Sequence, residues 1–400
     1  MNKQTVRDIE LKGKRVLVRV DFNVPLEPQT KAISDDSRIR AALPTIKYII
    51  EKKGKVILCS HLGRPNGKVV EEMRLAPVAK RLSELLKLPV PCTKDCIGPG
   101  VEEAISKMKE GDVLMLENLR FHAEEEKNDP AFAEALARLA DVYVNDAFGT
   151  AHRAHASTAG VTQYLPAVAG FLMEKEIDYL GKALAGAAHP FAAIIGGAKV
   201  SDKMALLENI LGKVDYLLIG GGMCCTFLKA QNYGVGKSQV EEDKLNVARD
   251  LMSKAAKASV ELVLPEDVVV AEKFASGASF KTVPVGSIPS DWYVMDIGPN
   301  TVRSFSDRLK KCKTAFWNGT MGVFEYKEFR AGTEGIAKQL ANLIRQRRTT
   351  ITGGGSTAEA VMELGLDNKM SHVSTGGGAA LEFLEGKTLP GVAALLDKKG

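Results

Sequence analysis

Three features of the 400-residue sequence predict an α/β protein with two Rossmann-like lobes, each a parallel sheet with helices on both faces, joined by a helix with a hinge. Short β-branched or apolar runs alternate with helix-period segments along nearly the whole chain, the pattern of parallel strands with crossover helices. The strand ends are basic in the first half and glycine-rich in the second. Length and 45% hydrophobic content are enough for two or three ordinary cores.

In order, residues 15–23, RVLVRVDFN, read as a strand ending in Asp21 and Asn23. SDDSRIRAALPTIKYIIEKKG follows, with Arg38 in the first turn of a helix that buries Ile39, Leu43, Ile46 and Ile50. KVILCS is a second strand, ending at HLGRP with His61 and Arg64, and a helix spans about 75–87. VPCTKD is a weaker third strand. GDVLMLENLRFH, the fourth, delivers Arg120 and His122; ADVYVNDAFGTAHRAHAS, the fifth, delivers Asp146, His152, Arg153 and His155. Ligands of parallel sheets sit beyond the carboxyl ends of the strands. A lone arginine there is often a solvated loop charge. Recurrence at successive ends predicts a site for a small, strongly anionic molecule.

PAVAGFLMEKEIDYLGKALA, 166–185, reads as a long helix, and the strand-end chemistry changes across it. The expected domains are therefore 1–170, a connecting helix at 171–187, and 188–387. FAAIIGGAKVSDKM then supplies Gly196, Gly197, Lys199 and Lys203; on a helix beginning near Ala198 the two lysines share a face. VDYLLIGGGM brings Gly220 to Gly222. ELVLPEDVVVA and TAFWNGTMGVFE are two more strands, the latter ending at Asn318 and Glu325. Residues 349–380 read as strand, GGGST, helix, strand, GGGA and helix start. Glycine triplets admit a ligand to the backbone, and the helices beginning there aim unpaired N–H groups at it. They also close tight corners without any ligand, but two in one unit suggest a phosphate site.

Several classes are disfavoured. The net charge of +5 is small and dispersed, which argues against nucleic acid or a membrane surface as partner. No apolar run is long enough to span a bilayer, and MNKQTVRDIELKGKRV lacks a signal-peptide core, so a cytoplasmic location is expected. The six cysteines show no paired spacing and read as reduced, buried thiols. GVGKSQ at 234–239 lacks the first glycine of a P-loop, DFN lacks the companions of a protein-kinase DFG, and HRAH lacks zinc-ligand partners. No GxGxxG array supports a dinucleotide-dependent dehydrogenase.

One lobe set for a small anion and one for nucleotide phosphates predict phosphoryl transfer, chemistry that rests on positioning and charge neutralisation. With no obvious general base, the acceptor is expected to be already ionised, such as a carboxylate.

RVDFNVP at 19–25, SHLGRP at 60–65, LENLRFH at 116–122, NDAFGTAHRAHAS at 145–157, GGAKVSDK at 196–203, GGGM at 220–223, WNGTMGVFE at 317–325, SHVSTGGGA and LEGKTLPGV together resemble the phosphoglycerate kinase family over essentially the whole chain. The resemblance implies a monomeric glycolytic enzyme that transfers a phosphoryl group between 1,3-bisphosphoglycerate and ADP, with Mg2+ accompanying the nucleotide. It implies that Asp21, Asn23, Arg38, His61, Arg64, Arg120 and Arg153 bind phosphoglycerate. Lys199, Lys203, Gly354, Gly355 and Gly376 to Gly378 would hold the nucleotide phosphates, with Arg38, Lys199, Lys203, Gly355 and Gly378 acting on the transferring group. Gly197 and Gly221 would lie near adenine, Glu325 near the ribose, and Asn318, Ser356 and Thr357 beside the nucleotide. The last residues, 388–400, would pack back on the first lobe. A nucleotide-sensing protein on the same fold is the alternative.

Three positions depart from the family's pattern. Ser356 stands where the family has a magnesium-holding Asp, Thr320 where it has Pro, and Val294 where it often has Gly. A hydroxyl is a weak ligand for a hard cation, so magnesium would be held mainly by phosphates and water.

Overall fold

The computed structural model describes residues 2–27 and 29–398, apart from the side chain of Leu184. Contacts divide the chain into two compact units: one runs to Asp178 and resumes at Thr388, the other is Tyr179–Lys387. The division falls inside the helix Phe171–Ala185.

The first unit is built on five parallel strands, β1 (Arg15–Val20), β2 (Lys55–Cys59), β3 (Val113–Met115), β4 (Val142–Asp146) and β5 (Ala167–Ala169), ordered β3-β2-β1-β4-β5. The chain starts in the middle, moves outward through β2 and β3, then returns to β4 on the other side. The β1–β4 pair is therefore where strand order reverses, and Val20 lies opposite Asp146 there. In open parallel sheets the carboxyl-end crevice at such a reversal is the usual ligand position. Val16, Val18 and Val20 pack against Ile39, Ile46 and Ile49 of the helix Ser37–Glu51. Leu43 and Ile50, expected inside, are half-buried, because the buried stripe runs through Ala42, Thr45 and Ile49 instead.

Two expectations for this unit change. VPCTKD contributes a single bridge, Cys92 to Met115, and no strand. The segment 166–170 is not helical: Ala167–Ala169 pairs with Tyr143 to Asn145, and the helix starts at Phe171. The Asp146 carboxylate accepts the backbone N–H of Leu172 (2.9 Å) and Met173 (3.3 Å), which fixes that start. The chain end packs on the same unit: Asn145 Nδ2 donates to the Gly391 carbonyl and Leu396 N to the Ala167 carbonyl. Residues 399 and 400 lie outside the described residues.

The second unit has six parallel strands, β6 (Phe191–Ile195), β7 (Tyr216–Ile219), β8 (Glu261–Val263), β12 (Thr314–Asn318), β13 (Thr349–Gly353) and β14 (His372–Val373), ordered β14-β13-β12-β6-β7-β8. The sequence also hides an antiparallel sheet, β10-β9-β11, from β9 (Asp267–Ala271), β10 (Phe280–Pro284) and β11 (Tyr293–Ile297). ELVLPEDVVVA, expected as one strand, splits between the two sheets around Pro265, which has no N–H to continue a ladder. Trp317, fully buried, anchors the core with Phe305, Ile336 and Leu340. All six cysteines are free thiols. No helix among the described residues is long and apolar enough to cross a membrane.

Candidate active site

The carboxyl ends of β1, β2, β3 and β4 carry the cations of the candidate anion site. Asp21 pairs with Arg38, the second residue of its helix. Asn23 Oδ1 accepts the Gly63 N–H at 2.9 Å, tying the loop after β2 to the loop after β1. Arg120, 5% exposed, donates to the Gly63 carbonyl at 2.9 Å and pairs with Glu126 at 3.2 Å; burial pulls its pKa down. Arg153 sits half-buried after β4 with Nε 3.3 Å from His152, and Arg64 stands exposed beyond His61.

The histidines register this crowding. Burial first, and then the charges of Arg19, Arg120 and Arg38, hold His61 well below the usual imidazole range. His155 is pushed down to about 4 by burial together with Arg120, Arg19 and Arg153. Both are neutral at physiological pH, so the positive potential comes from arginines, which cannot lose their charge. Such a surface favours a compact polyanion. Asp146 and His122, by contrast, face away from this chemistry: Asp146 caps a helix, and His122 Nε2 lies 2.7 Å from Asp95.

The sequence reading missed what lies beneath. Arg19 is 1% exposed, with Nε donating to Ser157 Oγ at 2.9 Å; Ser157 donates from N and Oγ to the fully buried Glu125. Arg19 lies in the middle of an apolar strand pattern, and its charge there was the one available signal.

In the second unit, backbone does most of the work. Asn318 at the end of β12 is flanked in register by Ile195 and Gly353. It is fully buried, with Nδ2 on the Gly353 carbonyl at 2.8 Å and Oδ1 accepting from Lys203. Gly319 N donates to Thr357 Oγ1 at 2.6 Å. Asn318 and Thr357 therefore lock the glycine corners together. Gly221 has φ +66° and would place a Cβ 2.5 Å from Gly197 N and 2.6 Å from Gly197 O, so these two turns touch only because residue 221 is glycine.

Gly354, with φ +91°, precedes the helix Gly355–Glu363, and Gly377, with φ +52°, precedes the helix Gly378–Leu384. Lys199 and Lys203 do not share a helix: Ser201–Lys203 is a single tight turn, and the helix begins at Met204. The Glu241 carboxylate takes the N–H of Val200 and Ser201, so it pins the chain in this turn. Lys199 is exposed; Lys203 is largely buried, which lowers its pKa.

A cavity of about 680 Å³ opens beside these corners, lined by Gly197, Gly221, Val294, Thr320, Glu325, Tyr326 and Ser356, with Lys237, Phe274 and Tyr293 on its rim. That is ample for a nucleotide. Tyr293 comes from β11 of the antiparallel sheet and Phe274 from the loop between its β9 and β10; β10 is largely exposed and gave no alternating pattern in the sequence. A second cavity, about 760 Å³, lies in the first unit against β3 among Leu88, Pro91, Ile97, Val101 and Met108, and none of the arginines or histidines of the anion site reaches it.

The donor set beside the glycine corners suits anions: N–H groups, two lysines and hydroxyls. Ser356 offers one hydroxyl and no carboxylate, which does not by itself suit a divalent cation.

A family model described as phosphoglycerate kinase matches residues 6–387. A phosphoglycerate kinase from Synechococcus elongatus is 59% identical over 401 residues, covering 99% of this chain and all of its own. One from Moorella thermoacetica is 57% identical over 398 residues, covering both chains fully. Among solved structures, phosphoglycerate kinase from Coxiella burnetii superposes with a TM-score of 0.89 at 42% identity, and that from Pyrococcus horikoshii with 0.84 at 33%; each covers 98% of both chains.

Proposed function

The chain belongs to the phosphoglycerate kinase family and is a glycolytic phosphotransferase; from that premise we propose how its two sites divide the reaction. Residues 1–170 with 388–400 form the phosphoglycerate lobe, 171–187 the connecting helix and 188–387 the nucleotide lobe. The observation that carries this is the contrast between the sites: side-chain cations at the ends of β1, β2, β3 and β4 in one unit, glycine backbone around a cavity in the other.

Asp21, Asn23, Arg38, His61, Arg64, Arg120 and Arg153 hold the phosphoglycerate. Arginine forks match its phosphate and carboxylate, and Asn23 fixes the loop that carries His61 and Arg64. Gly197 and Gly221 let adenine lie against backbone, Glu325 faces the ribose, and Lys199, Lys203 and the N–H groups from Gly354 to Thr357 and Gly376 to Gly378 hold the phosphates. Asn318 acts through Lys203, whose ammonium it orients.

The carboxylate of 3-phosphoglycerate attacks the γ-phosphorus of ATP in line, or ADP attacks the acyl phosphate in reverse. The acceptor is already ionised, so no general base is needed. Arg38, Lys199, Lys203 and the N–H groups of Gly355 and Gly378 neutralise the charge spread over the transferring group. Arg38 is pre-aimed by Asp21. Transfer requires reacting oxygens to come within bonding range, so the two lobes close when both substrates are bound.

Mg2+ would be carried on the nucleotide phosphates with the Ser356 hydroxyl beside it, offsetting phosphate charge. The protein acts as a cytoplasmic monomer. The test is ADP formation from ATP with and without 3-phosphoglycerate and Mg2+, beside Arg38→Ala. Turnover that needs every component and collapses in the variant supports the reading. ADP release independent of 3-phosphoglycerate refutes it.

A further inference from the structure

The buried charge beneath His61 has no part in the steps above. Ser157 Oγ donates to Glu125 Oε1 at 2.5 Å, so its lone pair is left to accept Arg19 Nε at 2.9 Å. Arg19 Nη1 is bound to the Val20 carbonyl, and Nη2 lies 3.2 Å from Nδ1 of His61. Every bond in this series has a fixed direction. A guanidinium has only donors, so Nδ1 of His61 must accept, and the ring proton must sit on Nε2, on the side of the ring away from Arg19.

We propose that Glu125 is a positioning residue for phosphoglycerate binding: through Ser157 it holds the buried Arg19, and Arg19 fixes His61 as the Nε2–H tautomer that donates to the anionic substrate. The purpose of the arrangement follows from the neighbourhood. His61 sits among Arg38, Arg120 and Arg19 and is held neutral. A neutral imidazole binds an anion only if its single N–H faces it; the other tautomer would point a lone pair at the substrate and repel it. Arg19 sets that choice, and Glu125 is the counter-charge that keeps a fully buried guanidinium in place. Glu125 itself is 0% exposed, and its Oε1 lies 3.9 Å from Nδ1 of the neighbouring His155 as well as on Ser157.

The inference rests on His61 belonging to the phosphoglycerate site, and the test separates the two ideas. Long-range ¹H–¹⁵N correlation of the ligand-free protein reads the His61 tautomer directly. The expected result is an acceptor-type Nδ1 and a protonated Nε2. Glu125→Gln should mix the tautomers and raise KM for 3-phosphoglycerate about tenfold or more, the loss of one hydrogen bond to a charged group, with KM for ATP unchanged. Ser157→Ala keeps both charges and removes the bridge; it should move the same two readouts in the same direction and serves if the Gln variant does not fold. A protonated Nδ1 in the wild type, or a variant that leaves both tautomer and KM unmoved, overturns the proposal. A tautomer that mixes while KM for 3-phosphoglycerate stays fixed overturns the assignment of His61 to the substrate.

Discussion

Asp146 should make the protein less stable as pH rises through mild acid. Its carboxyl is fully buried behind β4, with Oδ1 on the Leu172 and Met173 N–H groups and the Thr45 hydroxyl beside it. Burial outweighs the hydrogen bonds and pushes its pKa up to about 6 from the ordinary 3.8. In the unfolded chain the group ionises near 4. Between pH 4 and 6 the folded protein therefore keeps a proton that the unfolded chain has lost, and raising the pH favours unfolding over that window. The full penalty, reached above pH 6, is about 3 kcal/mol. Asp146→Asn removes the titration and keeps the Oδ1 acceptor for the helix. Urea unfolding at half-unit steps from pH 4 to 8 should show the variant gaining on the wild type by about 3 kcal/mol across pH 4–6, then running parallel. A ¹³C titration of the side-chain carboxyl gives the pKa independently. A stability difference flat over the whole range refutes the argument, because it would mean that the carboxyl ionises alike in both states.

Arg38→Ala should lower kcat by about 100-fold, as for the loss of a donor aimed at transition-state charge; steady-state kinetics that show only a raised KM would make Arg38 a binding residue. Gly221→Ala puts a methyl within 2.6 Å of the Gly197 backbone at φ +66°, a strain of about 1–3 kcal/mol. Calorimetry should find ADP affinity down by about tenfold or more with 3-phosphoglycerate binding unchanged, and equal ADP affinity would remove the close-approach argument. Ser356→Asp supplies the missing hard ligand. The Mg2+ concentration for half-maximal rate should fall, and an unshifted Mg2+ titration would mean that this position does not see the metal.

What could be read from the sequence was whatever repeats. Most parallel strands of both units are apolar and buried on both faces, so they stand out as runs, and the segments beyond their carboxyl ends can be inspected one after another for Arg38, His61, Arg120 or Gly354. The antiparallel sheet had no such signature: β10 is exposed along most of its length, and β9 follows so soon after β8 that the two read as one strand. Lys199 and Lys203 satisfied a helical spacing that the backbone does not adopt, because Glu241, 38 residues beyond Lys203, captures the N–H groups of the turn. Spacing carries no information about a distant cap. Arg19, Glu125 and Ser157 escaped for the same reason. Their meaning lies in contacts between residues 32 to 138 positions apart.

On the proposed assignment of phosphoglycerate to the first unit and nucleotide to the second, the two sites solve different problems, and their materials follow from that. A phosphoglycerate is short and carries charge at both ends, so recognition must come from long side chains converging on it, and those side chains must be kept from repelling one another. Glu125, Glu126 and Asp21 meet that need from below and beside the cluster. A nucleotide phosphate chain runs along a surface instead, and backbone N–H groups can follow it at no cost in net charge. The glycine corners then need rigid supports rather than counter-ions, which is why Asn318 and Thr357 spend their polar groups on Gly353 and Gly319. Removing a support should therefore loosen nucleotide binding without changing its salt dependence, whereas removing a counter-charge in the first unit should alter both.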